Sequence, residues 1–140
     1  MAWTVDRSAG YEDWLKALTK RYKRAGDDID AAFEQGKPQS DAIPGFGGLL
    51  WKARVASTDL GRGKSGSFRV IYYWNEESPN YSCLAACYFK GDYENLPVEE
   101  VRKLFVTVKA RIDRIRAEAA KEAAKQSQPA ADSTNDDPPF

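Results

Sequence analysis

Trp51-Lys52-Ala53-Arg54-Val55-Ala56-Ser57-Thr58-Asp59-Leu60-Gly61-Arg62-Gly63-Lys64-Ser65-Gly66-Ser67-Phe68-Arg69-Val70-Ile71-Tyr72-Tyr73-Trp74 decides how this chain is read. Two runs rich in aromatic and β-branched residues flank a Gly-rich turn, the pattern of two strands joined by a loop. Residues 45–74 hold five Lys or Arg against one acid, Asp59, in a 140-residue chain that is formally neutral. The charge of +4 is therefore local. Positive charge concentrated among aromatic residues is the electrostatic footprint of a phosphate-bearing partner.

Working outward, three strands are expected at about residues 49–57, 67–75 and 81–89, joined by connections short enough for antiparallel hairpins. Residues 2–8 read as a short first strand. From Tyr11 the apolar positions Trp14, Leu15, Leu18, Tyr22, Ala25, Ile29, Ala32 and Phe33 follow helical spacing. Gly26, with Asp27 and Asp28 after it, is expected to split this stretch into two helices. Residues 37–48 read as loop, punctuated by Pro38, Pro44, Gly45, Gly47 and Gly48. Pro97 opens a last helix, with Glu99 and Glu100 where the dipole favours acid. Its stripe is Val98, Val101, Leu104, Phe105, Val108, Ile112 and Ile115.

The expected fold class is α+β, a small domain whose antiparallel meander sheet carries N-terminal helices and a C-terminal helix. It spans residues 1–117. Residues 118–140 read as a tail, Ala-rich and charged at first, then Ser-, Pro- and Asp-rich and expected to be disordered from Gln126.

Composition narrows the chemistry. No apolar run approaches the length of about 20 residues that spans a membrane, and the N-terminus lacks the layout of a signal peptide. A cytoplasmic protein is expected. Cys83 and Cys87 lie on one expected strand, sharing a face about 13 Å apart at 3.3 Å per residue. They are too far apart to pair and read as small core residues of a reducing compartment. The chain has no histidine, which removes His-dependent triads, His metal ligands and a His general base. No metal site and no cofactor is expected.

Strand parity sorts the charges. Lys52 and Arg54 share one face of their strand, and Arg69, Ile71 and Tyr73 share one face of the next. Tyr88 and Lys90 align with Leu84 and Ala86 on the third. Lys52, Arg54, Arg69 and Lys90 are therefore expected to converge on the open side of the sheet, with Arg62 and Lys64 at its rim. Trp51, Phe68, Tyr72 and Trp74 read as core, whereas Tyr73 and Tyr93 are candidates to contact a base. Gly63-Lys64-Ser65 imitates the end of a P-loop. That motif needs Gly where Thr58 stands and a helix where a strand follows, so nucleotide triphosphate hydrolysis is not expected.

These residues resemble a known family. Pro44-Gly45-Phe46-Gly47-Gly48, Lys52-x-Arg54, Gly61-x-Gly63-Lys64-Ser65-Gly66-x-x-Arg69-Val70-Ile71-Tyr72-Tyr73 and Tyr88-x-Lys90 with Glu94-Asn95-Leu96 are similar to the RelE/HigB toxins of bacterial type II toxin–antitoxin systems. The likeness covers about residues 43–105. Ser67 and Gly91 depart from the pattern, which has Gly and Asn there.

The resemblance implies a RelE-like fold and an endoribonuclease, an mRNA interferase that cleaves transcripts on the translating ribosome and is silenced by a cognate antitoxin. It implies active-site roles for Lys52, Arg54 and Arg69, with Lys90 nearby. In such chemistry the ribose 2′-OH attacks the adjacent phosphate. Arg69 would grip that phosphate, Arg54 would position the backbone, and Lys52 or Lys90 would carry protons. Arg62, Lys64, Tyr73 and Tyr93 would contact RNA. Two alternatives stand beside this one: a non-catalytic module that grips RNA or a regulatory partner with the same face, and a sheet that serves only as a protein-interaction surface.

Overall fold

In the computed structural model, which describes residues 3–59, 67–93 and 95–132, the strand Tyr81–Phe89 is buried from Ser82 through Tyr88. Side chains buried on both faces, with backbone groups that must all be paired, require a neighbour on each side. The element order is β1 (Thr4–Arg7), α1 (Tyr11–Arg21), α2 (Ala25–Ala32), β2 (Ser40–Ala42), β3 (Leu50–Val55), β4 (Phe68–Trp74), β5 (Tyr81–Phe89) and α3 (Val98–Asp132). The class is α+β. One five-stranded sheet has the order β1-β5-β4-β3-β2.

The expected hairpins β3–β4 and β4–β5 are antiparallel. The sheet as a whole is mixed, not purely antiparallel, because β1 joins β5 in parallel, Thr4 opposite Tyr81 and Arg7 opposite Leu84. A strand also forms inside the expected loop: Ser40, Asp41 and Ala42 pair with Ala53, Lys52 and Trp51. Three polar or small residues carry no hydrophobic period, so their pairing rests on the ladder and on a 2.6 Å contact between the Ser40 and Tyr72 hydroxyls.

The helical break falls earlier than Gly26. Tyr22 is extended, its N–H donates to the Leu18 carbonyl, and α2 restarts at Ala25 with Gly26 inside it. Tyr22 leaves the helix to wedge its ring between Phe68, at 5.4 Å, and Phe89, at 5.1 Å. Asp28 does not cap α2; its carboxylate accepts from the Thr58 N–H and hydroxyl. Packing outweighs local propensity at this joint.

The chain divides into two compact units, residues 1–108 and 109–140. In the first, α1 and α2 lie on one face of the sheet. Tyr11, Leu18, Ala25, Ile29 and Phe33 meet Ala53, Val55, Phe68, Val70, Tyr72, Leu84 and Cys87 in one core. Phe68 and Tyr72 are core as expected, while Trp51 and Trp74 are half-buried under the Lys37 ammonium, 4.0 and 5.0 Å from their ring centres. The second unit is the rest of α3. The helix runs to Asp132, through residues 126–132 that composition assigned to a disordered tail. The remaining tail, residues 133–140, lies outside the described residues. Among the described residues no helix is long and apolar enough to cross a membrane.

One irregularity rearranges β5. Ile71 faces Ala86 while Tyr72 faces Leu84, so Ala85 is an extra residue in a β-bulge. Leu84 therefore turns to the helix side, away from Ala86 and Tyr88. Cys83 and Cys87, expected on one face, lie on opposite faces, Cys87 in the helix-side core and Cys83 opposite Tyr73.

Both cysteines are buried and unpaired with each other. Burial pushes the Cys87 thiol from 9.0 up to about 12, and the Tyr72 phenol from 10.0 up to about 12. The unfolded chain loses these protons first, so their contribution to stability is complete below the ordinary values and is lost as pH rises toward 12. The urea midpoint is expected to stay level near neutrality and to fall above about pH 9. Because both thiols are buried, neither cysteine should be alkylated in the native chain, and both should label in denaturant. Rapid native labelling would contradict this burial.

Candidate nucleic-acid interface

The face away from α1 and α2 is built in three rows across β3, β4 and β5. Leu50, Tyr73 and Cys83 form the first, Lys52, Ile71 and Ala86 the second, and Arg54, Arg69 and Tyr88 the third. Residues directly opposite on neighbouring strands have Cβ atoms about 4.5–5.5 Å apart, and diagonal ones about 7–8 Å. Arg54 is thus the direct neighbour of Arg69, Arg69 of Tyr88, and Lys52 the diagonal neighbour of Arg69. The register brings together three of the four cations expected to converge.

The rows grade from dry to wet. Leu50, Tyr73 and Cys83 are 0, 3 and 0% exposed, whereas Arg69 and Lys52 are half-buried and Arg54 is exposed. Tyr73 is therefore not available to stack on a base; its ring packs against Tyr81. A cleft of about 480 Å³ opens beside the charged end, walled by Ile43, Pro44, Phe46, Leu96, Val98 and Val101, with Lys52, Arg54, Tyr88 and Asn95 also on its lining.

Each cation has a local setting. The Lys52 ammonium donates to Asn95 Oδ1 at 3.1 Å. The Arg54 guanidinium lies 4.0 Å from Asp41 Oδ2, with both side chains largely exposed, so this ion pair is weak. Arg69 donates to the Phe68 carbonyl at 3.4 Å. Lys90 stands one residue beyond β5 in a turn, exposed, with its N–H donating to the Ser67 carbonyl at 2.9 Å. That bond sets Lys90 at the same end of the sheet as the arginine row. Arg62 and Lys64 lie outside the described residues.

Tyr88 joins this group through the register. Its hydroxyl is buried and has no hydrogen-bond partner among the described residues. Burial raises the phenol above its ordinary 10.0, and nearby Arg69 partly opposes the shift. It is a neutral O–H donor at pH 7. Tyr93 is 42% exposed and meets the Tyr88 ring edge-on at 5.5 Å, so it keeps a face for a stacking partner.

No protein-family model matches the chain, and no curated protein matches it. Arg54 and Arg69 as direct neighbours in the register, with Lys52 on the diagonal, offer donors that suit an oxyanion such as a phosphodiester.

Three members escaped the reading from sequence. Asp41 was hidden in the expected loop, and only the β2–β3 ladder sets it opposite Lys52. Asn95 lay in the quoted Glu94-Asn95-Leu96 segment without a role, and Tyr88 was seen only as aligned with Lys90. The Tyr-x-Lys spacing carried the signal for Tyr88; nothing local marked Asp41.

Like charges directly opposite in a sheet are destabilising. Arg54→Thr is expected to raise stability by about 0.2–1 kcal/mol at low ionic strength. The gain should shrink in 1 M salt, where the screening length is about 3 Å. Paired urea melts measure both, and an unchanged or lowered stability at low salt would show that the two guanidinium groups do not repel.

Proposed function

We propose that the chain is a RelE/HigB-type toxin, an endoribonuclease that cuts mRNA on the translating ribosome and is held silent by a cognate antitoxin in the cytoplasm. The supporting observation is the Arg54–Arg69–Tyr88 row with Lys52 beside it. RNA brings its own nucleophile, so a site without histidine suffices. The ribose 2′-oxygen forms a bond to the adjacent phosphorus, the bond from phosphorus to the 5′-oxygen breaks, and a 2′,3′-cyclic phosphate and a 5′-hydroxyl result.

The protein's share is electrostatic and geometric. Arg69 grips the phosphate and opposes the charge that grows on the phosphorane. Arg54, exposed at the end of the row, positions the neighbouring backbone. Lys52, which donates to Asn95, stands beside them. Tyr88 stands beside Arg69 in the row, its hydroxyl buried. Lys52 or Lys90 carries the proton that leaves the 2′-oxygen and the one that reaches the 5′-oxygen, and the ring of Tyr93 supports a flanking base.

One observation favours a second reading. The Lys52 amine is engaged by the Asn95 amide, a setting that suits a positioned cation better than a base. On that reading the face grips RNA without cutting it.

Mapping transcript 5′ ends after induced expression in a bacterium separates the two. Wild type should arrest growth and create new ends inside translated regions. Arg69→Ala should lower cleavage by about 10²–10³-fold while keeping part of the RNA affinity. A well-expressed, folded wild type that produces no new ends would support the binding module instead.

A further inference from the structure

We infer that the cleft beside the arginine row seats one base of a bound RNA strand and selects uracil or guanine, whose major-groove edges present a carbonyl oxygen. The inference rests on the RNA reading above. It adds what a phosphate grip lacks, a group that tells one nucleotide from another.

The cleft lies wholly within the first unit. Its charged side is the open sheet face, where Lys52 and Arg54 share the lining with Ile71 and Tyr88. The rest is mainly apolar and comes from two segments, Pro44 and Phe46 after β2, and Leu96, Val98 and Val101 around the start of α3. Phe46 is braced by the Phe105 ring, 5.2 Å away and edge-on. Val98 is 59% exposed, so an aliphatic part of the wall stands in water. A planar group laid against it removes that apolar surface from water, which is favourable.

The polar groups decide which base. Tyr88 is 3% exposed, and its hydroxyl is buried without a partner among the described residues. A buried donor left unmet costs free energy that a ligand's acceptor recovers. Asn95 commits its Oδ1 to Lys52, which leaves the amide N–H pair to donate. Uracil O4 or guanine O6 meets such donors, whereas cytosine and adenine carry an N–H donor at the same place. A phenol that only accepted from them would keep its own proton unmet. Asp41, also on the lining, is largely exposed and faces Arg54 at 4.0 Å, so water and that guanidinium already serve its oxygens.

Size and place favour a base over a peptide. A cleft of about 480 Å³ falls within the roughly 300–1,000 Å³ of small-ligand sites, whereas a docked helix or strand needs a run of anchors along a groove. A base is also tethered to the phosphate held by Arg54 and Arg69, which raises its effective concentration at the cleft.

The test uses the full-length chain and short fluorescent 2′-O-methyl strands, which bind without being cut: uridine, cytidine and abasic strands of equal charge. Anisotropy should place uridine about tenfold tighter than cytidine, with the abasic strand no tighter than cytidine. All three should share one salt slope, because their phosphates are the same. Tyr88→Phe should bring uridine down to the cytidine affinity with that slope unchanged. Its urea midpoint should not fall, because the lost hydroxyl had no partner. Val106→Ala, exposed on the same helix and off the lining, should bind each strand as wild type does.

Equal affinity for uridine and cytidine would overturn the inference and leave the phosphate row standing. So would a Tyr88→Phe chain that weakens both strands alike, since the phenol would then serve the phosphate. Displacement of the uridine strand by an acidic leucine-rich peptide, where free uridine does not compete, would assign the cleft to a protein and overturn it too. No binding of any strand would overturn the RNA reading together with this one. A uridine preference lost in Tyr88→Phe, in a chain that cuts no transcript, would support the cleft and overturn the nuclease assignment instead.

Discussion

Arg54 and Arg69 face each other across the β3–β4 ladder, and that placement governs the rest of the open face. Two guanidinium groups held about 5 Å apart at their Cβ atoms repel, and the Asp41 carboxylate, 4.0 Å from Arg54 and largely exposed, relieves little of it. The pairing persists because the opposite side of the same strands is fixed by packing. Ala53, Val55, Phe68 and Val70 are buried against α1 and α2, and a one-residue slip would turn all of them outward. The core therefore dictates the register, and the register forces the cations together. An anion bound between them would relieve the conflict.

The bulge at Ala85 completes the row. Without it, Tyr72 and Leu84 could not both face the helices while Tyr88 stands opposite Arg69. The extra residue lets the Tyr81 end and the Phe89 end of β5 serve opposite needs. Leu84 and Cys87 fill the core, and Tyr88 is delivered to the cleft. Burial then keeps the phenol protonated.

Much of this was legible before the structure. The strands around Trp51–Val55, Phe68–Trp74 and Tyr81–Phe89 declared themselves through aromatic and β-branched residues, and the helical stripes through Leu15, Leu18, Ile29 and Phe33. Parity placed Lys52, Arg54 and Arg69 on one face, as the register has them. The failures have common causes. Ser40–Ala42 is too short and polar to show a period, and the parallel pairing of Thr4–Arg7 is a long-range choice that no local pattern encodes. The bulge is invisible because Ala85 and Ala86 are identical in kind, and it reversed the expected facing of Leu84 and Cys83. Tyr22 left its helix for an aromatic site between Phe68 and Phe89, a tertiary gain that helical spacing does not foresee. Tyr73 was misjudged because parity gives a face and not a depth; Leu50 and Cys83 beside it make that end of the face dry.

The central claim is that an RNA phosphodiester sits on the Arg54–Arg69–Tyr88 row. The most direct test is a nuclear magnetic resonance titration of the chain with a short single-stranded RNA methylated at every 2′-oxygen, which can bind but cannot be cut. Shifts should concentrate at Lys52, Arg54, Arg69, Tyr88 and Asn95, and leave Ala53, Val70 and Leu84 on the helix side unmoved. Shifts spread over the α1–α2 side, or saturable binding that leaves Arg54 and Arg69 unchanged, would contradict it.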